Sequence, residues 1–124
     1  LTAYVTINGL AALVLLDSGS TTDSLSPDFA RVARVPLVEL ENPAVLQLGC
    51  VGSRSRISHG TTVPVMWGSF SREVYFDVVN LDRYDAVLGT PFMRQFGVCL
   101  DFARNAIRLG AELFPALEPR EEEA

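Results

Sequence analysis

Apolar residues in this chain fall in short runs separated by Gly, Pro, Asn, Asp and Ser, a spacing that predicts many short strands and few helices. One run departs from the alternation of a half-buried strand. Ala12-Leu13-Val14-Leu15-Leu16 is apolar throughout and leads straight into Asp17. A strand without alternation is covered on both faces. It therefore delivers Asp17 to the end of a buried element, where a carboxylate needs partners.

The rest of the pattern can be taken in order. Thr2 to Ile7 predicts a strand, Asn8-Gly9 a two-residue hairpin turn, and Leu10 to Leu16 the return strand. Residues 23 to 28 are turn-rich. Ser26-Pro27 predicts an N-cap followed by proline at the first helical position. A short helix over Pro27 to Ala33 follows, with Phe29, Ala30 and Ala33 inward, and Pro36 stops it. Val38 to Leu40 reads as a short strand and Asn42-Pro43 as a turn. Ala44 to Val51 and Arg56 to Met66, the latter interrupted at Gly60 and Pro64, predict a long hairpin with a polar tip at residues 52–55. Phe70 to Asn80 alternates, with Val74, Phe76 and Val78 on one face. Ala86-Val87-Leu88 is a short apolar strand closed by Gly89. Thr90-Pro91 caps and starts a short helix over Phe92 to Gln95 that Gly97 ends. Val98 to Phe102 and Ala106 to Leu109 pair around Ala103-Arg104-Asn105. After Gly110 the pattern fades into Pro115, Pro119 and Glu121 to Glu123. The expectation is one mainly β domain over residues 1–110 and an acidic, Pro-containing tail or linker over 111–124.

Composition narrows the function. With 124 residues and 48% hydrophobic content, the chain suits one domain with a real core. No apolar run reaches the roughly 18 residues of a membrane span, and Leu1 to Val5 lacks the pattern of a signal peptide. The net charge of −5 argues against nucleic acid as a partner. Cys50 and Cys99 are too few for a disulfide framework, so free thiols in a reducing, intracellular and cytoplasmic setting are expected. His59 is the only histidine. A Ser-His-Asp triad and a metal site both lack their parts, and no cofactor is expected.

The segment Asp17-Ser18-Gly19-Ser20-Thr21-Thr22 carries the candidate chemistry. Hydroxyls and backbone N–H groups can hold the carboxylate, and Gly19 permits a close backbone approach. One reading is a turn built on an Asp side chain. The other is a catalytic acid, because Asp-Ser-Gly after an apolar strand resembles the signature of aspartic proteases. Those enzymes set two aspartates face to face over one water, and like charges so close cannot both ionise. Asp23, Asp28, Asp77, Asp82, Asp85 and Asp101 are not followed by Ser-Gly or Thr-Gly. One chain supplies one carboxylate, so a protease on this plan is a homodimer.

A second segment sharpens the resemblance. Leu15-Leu16-Asp17-Ser18-Gly19-Ser20 with Leu25-Ser26-Pro27, followed at the right spacing by Asp85-Ala86-Val87-Leu88-Gly89-Thr90-Pro91-Phe92-Met93, is similar to the retropepsin-like protease domain of gypsy-type LTR retrotransposons. The resemblance covers about Ala3 to Leu109, and Asp101-Phe102 stands where the family has Asp-Trp. It implies a closed β-barrel lobe with a flap hairpin and one or two short helices, one lobe per chain. It implies Asp17 as catalyst, Ser18 as the grip on the other subunit, and Gly19 as substrate-contacting backbone. It places Val51, Gly52, Ser53 and Arg54 at the flap tip over the substrate. Val87-Leu88-Gly89 becomes the segment passing through the active-site loop. Ser20 replaces the Ala of retroviral enzymes, and a hydroxyl beside the carboxylate would favour its ionised form. The C-terminal end does not align with the retroviral dimerisation strand.

The function so implied is peptide-bond hydrolysis in extended substrates, with a polyprotein containing this domain as the natural one. The alternative is a non-catalytic module of the same fold that dimerises or binds peptides. Other residues stay open between two readings. Asp85 orients the loop around Gly89 or is a turn residue. Arg54 and Arg56 touch substrate or face solvent. His59 is expected to be exposed on the flap strand, Cys50 to be a packed thiol, and Trp67 and Phe70 to pack in the core or flap base.

Overall fold

The computed structural model describes residues 1–47 and 54–118. Strands β1 (Thr2–Ile7) and β2 (Leu10–Leu16) pair antiparallel from Thr2↔Leu15 to Ile7↔Leu10. Their turn places Asn8 and Gly9 at φ 51° and 83°, the left-handed pair whose twist suits a two-residue hairpin. The Asn8 side-chain amide donates to the Ala33 carbonyl at 2.8 Å, tying the turn to the next helix. After β3 (Ser24–Leu25) comes α1 (Pro27–Val32), and the Ser26 hydroxyl accepts from the Phe29 N–H at 3.0 Å. This is the expected N-cap, with proline inside the first turn and Phe29 and Ala30 buried.

Strands β4 (Val38–Gln47), β5 (Arg54–Trp67) and β6 (Phe70–Val78) form an antiparallel meander. The β4–β5 register shifts between Glu39 and Ala44. Asn42-Pro43 is thus absorbed as an irregularity within one strand and does not separate two. Gly60 and Pro64 do not interrupt β5, which pairs with β6 from His59↔Val78 to Trp67↔Phe70. The Pro64 carbonyl is used across the barrel, accepting from the Asn8 N–H at 2.9 Å. The chain continues through β7 (Ala86–Leu88), α2 (Thr90–Phe96), β8 (Val98–Asp101), β9 (Ala106–Leu109) and β10 (Glu112–Pro115).

The strand order β1-β2-β7-β3-β6-β5 returns to β1 through Thr6↔Met66 and Ile7↔Val65, closing a 6-strand barrel with β4 appended to β5. Closure removes the free edges that an open sheet would leave. Ile7, Val14, Leu25, Val65, Phe76 and Leu88 fill the interior. β8, β9 and β10 form a separate three-stranded sheet, and Ile107 and Leu109 join the core. Trp67 and Phe70 are packing residues, as expected: Phe70 meets Phe92 and Phe96 edge-on, at centroid distances of 5.6 and 4.8 Å.

The tail is where sequence and structure part. Residues 111–118 do not begin a solvated linker. Phe114 stacks on Trp67 at 4.8 Å, and Ala116 is buried. The Leu117 N–H donates to the Thr2 carbonyl at 2.8 Å, and Glu112 accepts from the Ser69 backbone and hydroxyl. Glu112 and Pro115 break the apolar pattern without breaking the strand, because β10 is an edge whose one apolar contact suffices. The acidic run Glu121–Glu123 lies outside the described residues, as do Cys50 and the expected flap-tip residues Val51, Gly52 and Ser53. Arg54 opens β5. Among the described residues no helix is long and apolar enough to cross a membrane. Phe114→Ala should cost about 2 kcal/mol, below the usual range for a fully buried ring because Phe114 is half-buried. Urea denaturation reads this directly, and an unchanged midpoint would mean that β10 adds nothing to the domain.

Candidate active site

The site begins with β7, which is inserted between β2 and β3. Val14, Leu15 and Leu16 pair in parallel with Ala86, Val87 and Leu88, while Ser24 and Leu25 flank β7 on the other side. The Asp17 N–H leaves the end of β2 and donates to the Leu88 carbonyl at 3.0 Å. The chain then turns at once. The Gly19 N–H donates to Asp17 Oδ1 at 2.9 Å, and the Ser20 N–H to the Asp17 carbonyl at 3.1 Å. Asp17 is half-buried, and Ser18 and Gly19 are exposed. A buried strand thus presents a fixed carboxylate at the surface, next to backbone that a bound chain can reach.

Gly89, just after β7, lies against the backbone of this loop. A Cβ at Gly89 would stand 2.5 Å from the Thr22 carbonyl oxygen and 2.6 Å from that of Ser20. Only glycine fits so close to backbone. The Thr90 N–H then donates to the Ser20 carbonyl at 2.9 Å, locking loop and segment together. Ser20 departs from its expected role. Its hydroxyl donates to the Thr22 carbonyl at 2.8 Å and accepts from the Thr22 N–H at 3.4 Å. It stiffens the loop and does not face the carboxylate.

Two further acids meet remote amides, and of the two readings of Asp85 its place at a bend fits the turn residue. Asp85 does not orient the loop around Gly89. Its Oδ2 accepts from the Leu13 N–H at 2.8 Å, and its carbonyl accepts from the Ser26 N–H at 2.8 Å, so it joins β2 to the cap of α1. The residue on Gly89 is Asp23, whose Oδ1 accepts from the Gly89 N–H at 2.8 Å and the Phe92 N–H at 3.4 Å. Burial pushes its carboxyl above the ordinary value; the two amides oppose this, and the charge of Asp77 adds to it. Sequence reading passed over Asp23 because its partners are 66 and 69 positions away. The sequence expects Thr90 to cap this helix; instead Gly89 stands at the N-cap of α2 with no side-chain cap bond, and Thr90 is already helical.

Around this centre, Tyr75 donates to Asp77 at 2.9 Å, and burial with that bond pushes its hydroxyl up to about 12. His59 is half-buried, lining a groove of about 630 Å³ with Pro27, Ala30, Val35 and Val79. Cys99 is an exposed free thiol on β8. Among the described residues no cluster of three or more His, Cys, Asp or Glu could hold a metal ion.

Comparison with known proteins gives a consistent picture. Residues 13–113 match the family model of the PEG10/RTL1 protease domain. DNA damage-inducible protein 1 of Neurospora crassa is 29% identical over 113 residues, covering 91% of this chain. The chain spans 26% of that protein's length. Among solved structures, the retroviral protease-like domain of Ddi1 from Leishmania major superposes with a TM-score of 0.75 at 17% identity, over 95% of this chain and 94% of that one. EIAV protease in complex with the inhibitor HBY-793 gives 0.58 at 22% identity, over 82% and 92%. Both structures share the fold.

Proposed function

This chain belongs to the PEG10/RTL1 protease-domain family, and from that premise we propose that it is an aspartic endopeptidase working as a homodimer. The observation that carries the reading is the Asp17 loop: one surface-facing carboxylate per chain, held by the Gly19 N–H, on a backbone fixed at the end of β2 by the Asp17 N–H donating to the Leu88 carbonyl. Two such loops facing each other form a dyad that shares one proton. A water between them attacks the peptide carbonyl. One Asp17 takes the water's proton, while the other hydrogen-bonds the developing oxyanion and then returns a proton to the leaving nitrogen. Ser18, exposed beside the dyad, grips the opposite loop, and the Gly19 backbone holds the substrate chain.

The substrate is an extended peptide that binds as an added strand, with the hairpin of β4 and β5, including Arg54, over it. Its natural source is a polyprotein containing this domain, cut inside the cell. That EIAV protease, a protein of this fold, carries a bound inhibitor supports using a transition-state-type ligand as the probe. Hydrolysis of a mixed peptide library that a statine-type inhibitor suppresses establishes the enzyme. Binding without hydrolysis selects the non-catalytic module instead.

Dimer dependence is itself a prediction. The three-stranded sheet exposes Phe102 and Leu113, whereas Phe114 is spent on Trp67. So small an apolar face fits a dissociation constant of about micromolar or weaker, roughly −8 kcal/mol. Specific activity should rise with enzyme concentration and level off where sedimentation shows dimer. A monomer with full activity at nanomolar concentration would remove the shared dyad.

A further inference from the structure

Building on the protease reading, we infer that Asp23 is a positioning residue: its carboxylate fixes the Leu88–Gly89 peptide group, and through it the backbone of Asp17. The peptide group is a rigid plane. Its N–H, on Gly89, donates to Asp23 Oδ1 at 2.8 Å, and its carbonyl, on Leu88, accepts from the Asp17 N–H at 3.0 Å. One plane is therefore held on one side by Asp23 and holds the catalytic loop on the other. A rotation of that plane moves both bonds at once. An acceptor on the N–H also polarises the carbonyl and strengthens its bond to Asp17.

The arrangement follows from the crowding at Gly89. This residue is the N-cap of α2 and makes no side-chain cap bond, yet the helix start has free N–H groups to satisfy. A residue with its own capping side chain cannot stand there, because any Cβ would meet the Thr22 and Ser20 carbonyls. The acceptor must come from another part of the chain. Asp23 supplies it at the far end of the Asp17 loop, spanning the Gly89 and Phe92 amides with one oxygen. In a local capping box, two side chains share that work.

The charge state of Asp23 bears on stability. Charged and titratable groups around it are Asp77, Tyr75 and Glu73, all on β6, while α2 presents Pro91, Phe92 and Gln95, none of which titrates. Burial raises the carboxyl from its ordinary 3.8. A raised folded value means that the ionised form is penalised in the fold. The penalty is absent below the ordinary range and accrues as pH rises through the folded value. Asp23→Asn keeps an oxygen for both amides and removes the penalty, so its stability relative to the parent should grow with pH.

The test uses amide hydrogen exchange in the full chain carrying Asp17→Asn, which cannot cut itself, together with kinetics in the active chain. Asp23→Ala should speed exchange at positions 17 and 89 by roughly tenfold beyond any change shared by the β9 amides. Asp23→Asn should restore both. In the active chain Asp23→Ala should lower kcat about 100-fold with KM within about threefold, and Asp23→Asn should recover most of the loss. Exchange at 17 and 89 that changes no more than at β9 would overturn the inference and leave Asp23 an ordinary helix cap. If Asp23→Ala does not fold, a pH titration of the Asp17→Asn chain decides. The amide resonances at 17, 89 and 92 should then shift together with one midpoint, and a Gly89 amide that ignores pH overturns the inference. If the unsubstituted chain hydrolyses nothing, the protease reading fails while the exchange result still stands or falls alone.

Discussion

Asp17→Asn is expected to abolish peptide hydrolysis while leaving the barrel folded. The amide is nearly isosteric with the carboxylate and keeps an oxygen for the Gly19 N–H, now 2.9 Å from Oδ1. The backbone bond from position 17 to the Leu88 carbonyl does not involve the side chain. What the substitution removes is the capacity to take a proton from the attacking water. In a dimer it does so on both sides of the dyad, so a loss of roughly a thousandfold or more in kcat is expected. Folding stability should hold or rise, because two like charges no longer face each other. Progress curves on a cleaved peptide, beside thermal melts of the same preparation, read both quantities. Activity within tenfold of the parent would remove Asp17 from the mechanism.

Gly89→Ala is the second large effect, and it reaches the site through sterics alone. The new methyl would lie 2.5 Å from the Thr22 carbonyl oxygen and 2.6 Å from that of Ser20. Neither carbonyl is free to retreat. The first accepts from the Ser20 hydroxyl at 2.8 Å, and the second from the Thr90 N–H at 2.9 Å. Relief requires moving the loop that carries Asp17. A cost of about 3 kcal/mol, at the upper end of overpacking, and loss of measurable hydrolysis are expected. Gly97 provides the control. It has φ 65° but nothing within 4 Å of a Cβ, so Gly97→Ala should cost only about 1 kcal/mol in backbone strain and spare activity. Equal costs for the two substitutions would contradict the close passage at Gly89.

The two positions also show what a single sequence can reveal here. Features with local causes were legible. Asn8-Gly9 has the residues a left-handed turn demands, and Ser26-Pro27 the residues a helix start demands. β2 reads as covered on both faces, yet it alternates: Ala12, Val14 and Leu16 are buried while Leu13 and Leu15 are half-buried. The passage of Val87-Leu88-Gly89 through the loop is an implication of family resemblance; the residues themselves say only that a short apolar strand ends in glycine. What was misread depends on distant partners. β10 contains Glu112 and Pro115 and looks like the start of a linker; Trp67, far back in the chain, makes it a strand by offering Phe114 a ring to stack on. Asn42-Pro43 looks like a turn, yet β5 continues to pair on both sides of it. Asp23 meets the Gly89 amide and Asp85 the Leu13 amide, and nothing near either residue says which remote amide it will meet. Ser20 was read toward its nearest acid, although the Thr22 carbonyl lies in better reach of its hydroxyl.

The slot that β7 fills has a consequence for the order in which the molecule comes into being. A parallel neighbour cannot be supplied by a tight turn, and β2 receives its own only when Ala86–Leu88 has been synthesised. β1, β2, β5 and β6 all precede it in the chain and pair by nearest-neighbour hairpins, with Thr6↔Met66 and Ile7↔Val65 drawing the ring toward closure. Asp17 is thus made well before the Leu88 carbonyl that anchors it. Contacts of such long sequence separation form slowly. A nascent chain carries the acid without its seat, and the delay between making Asp17 and seating it is written into the strand order.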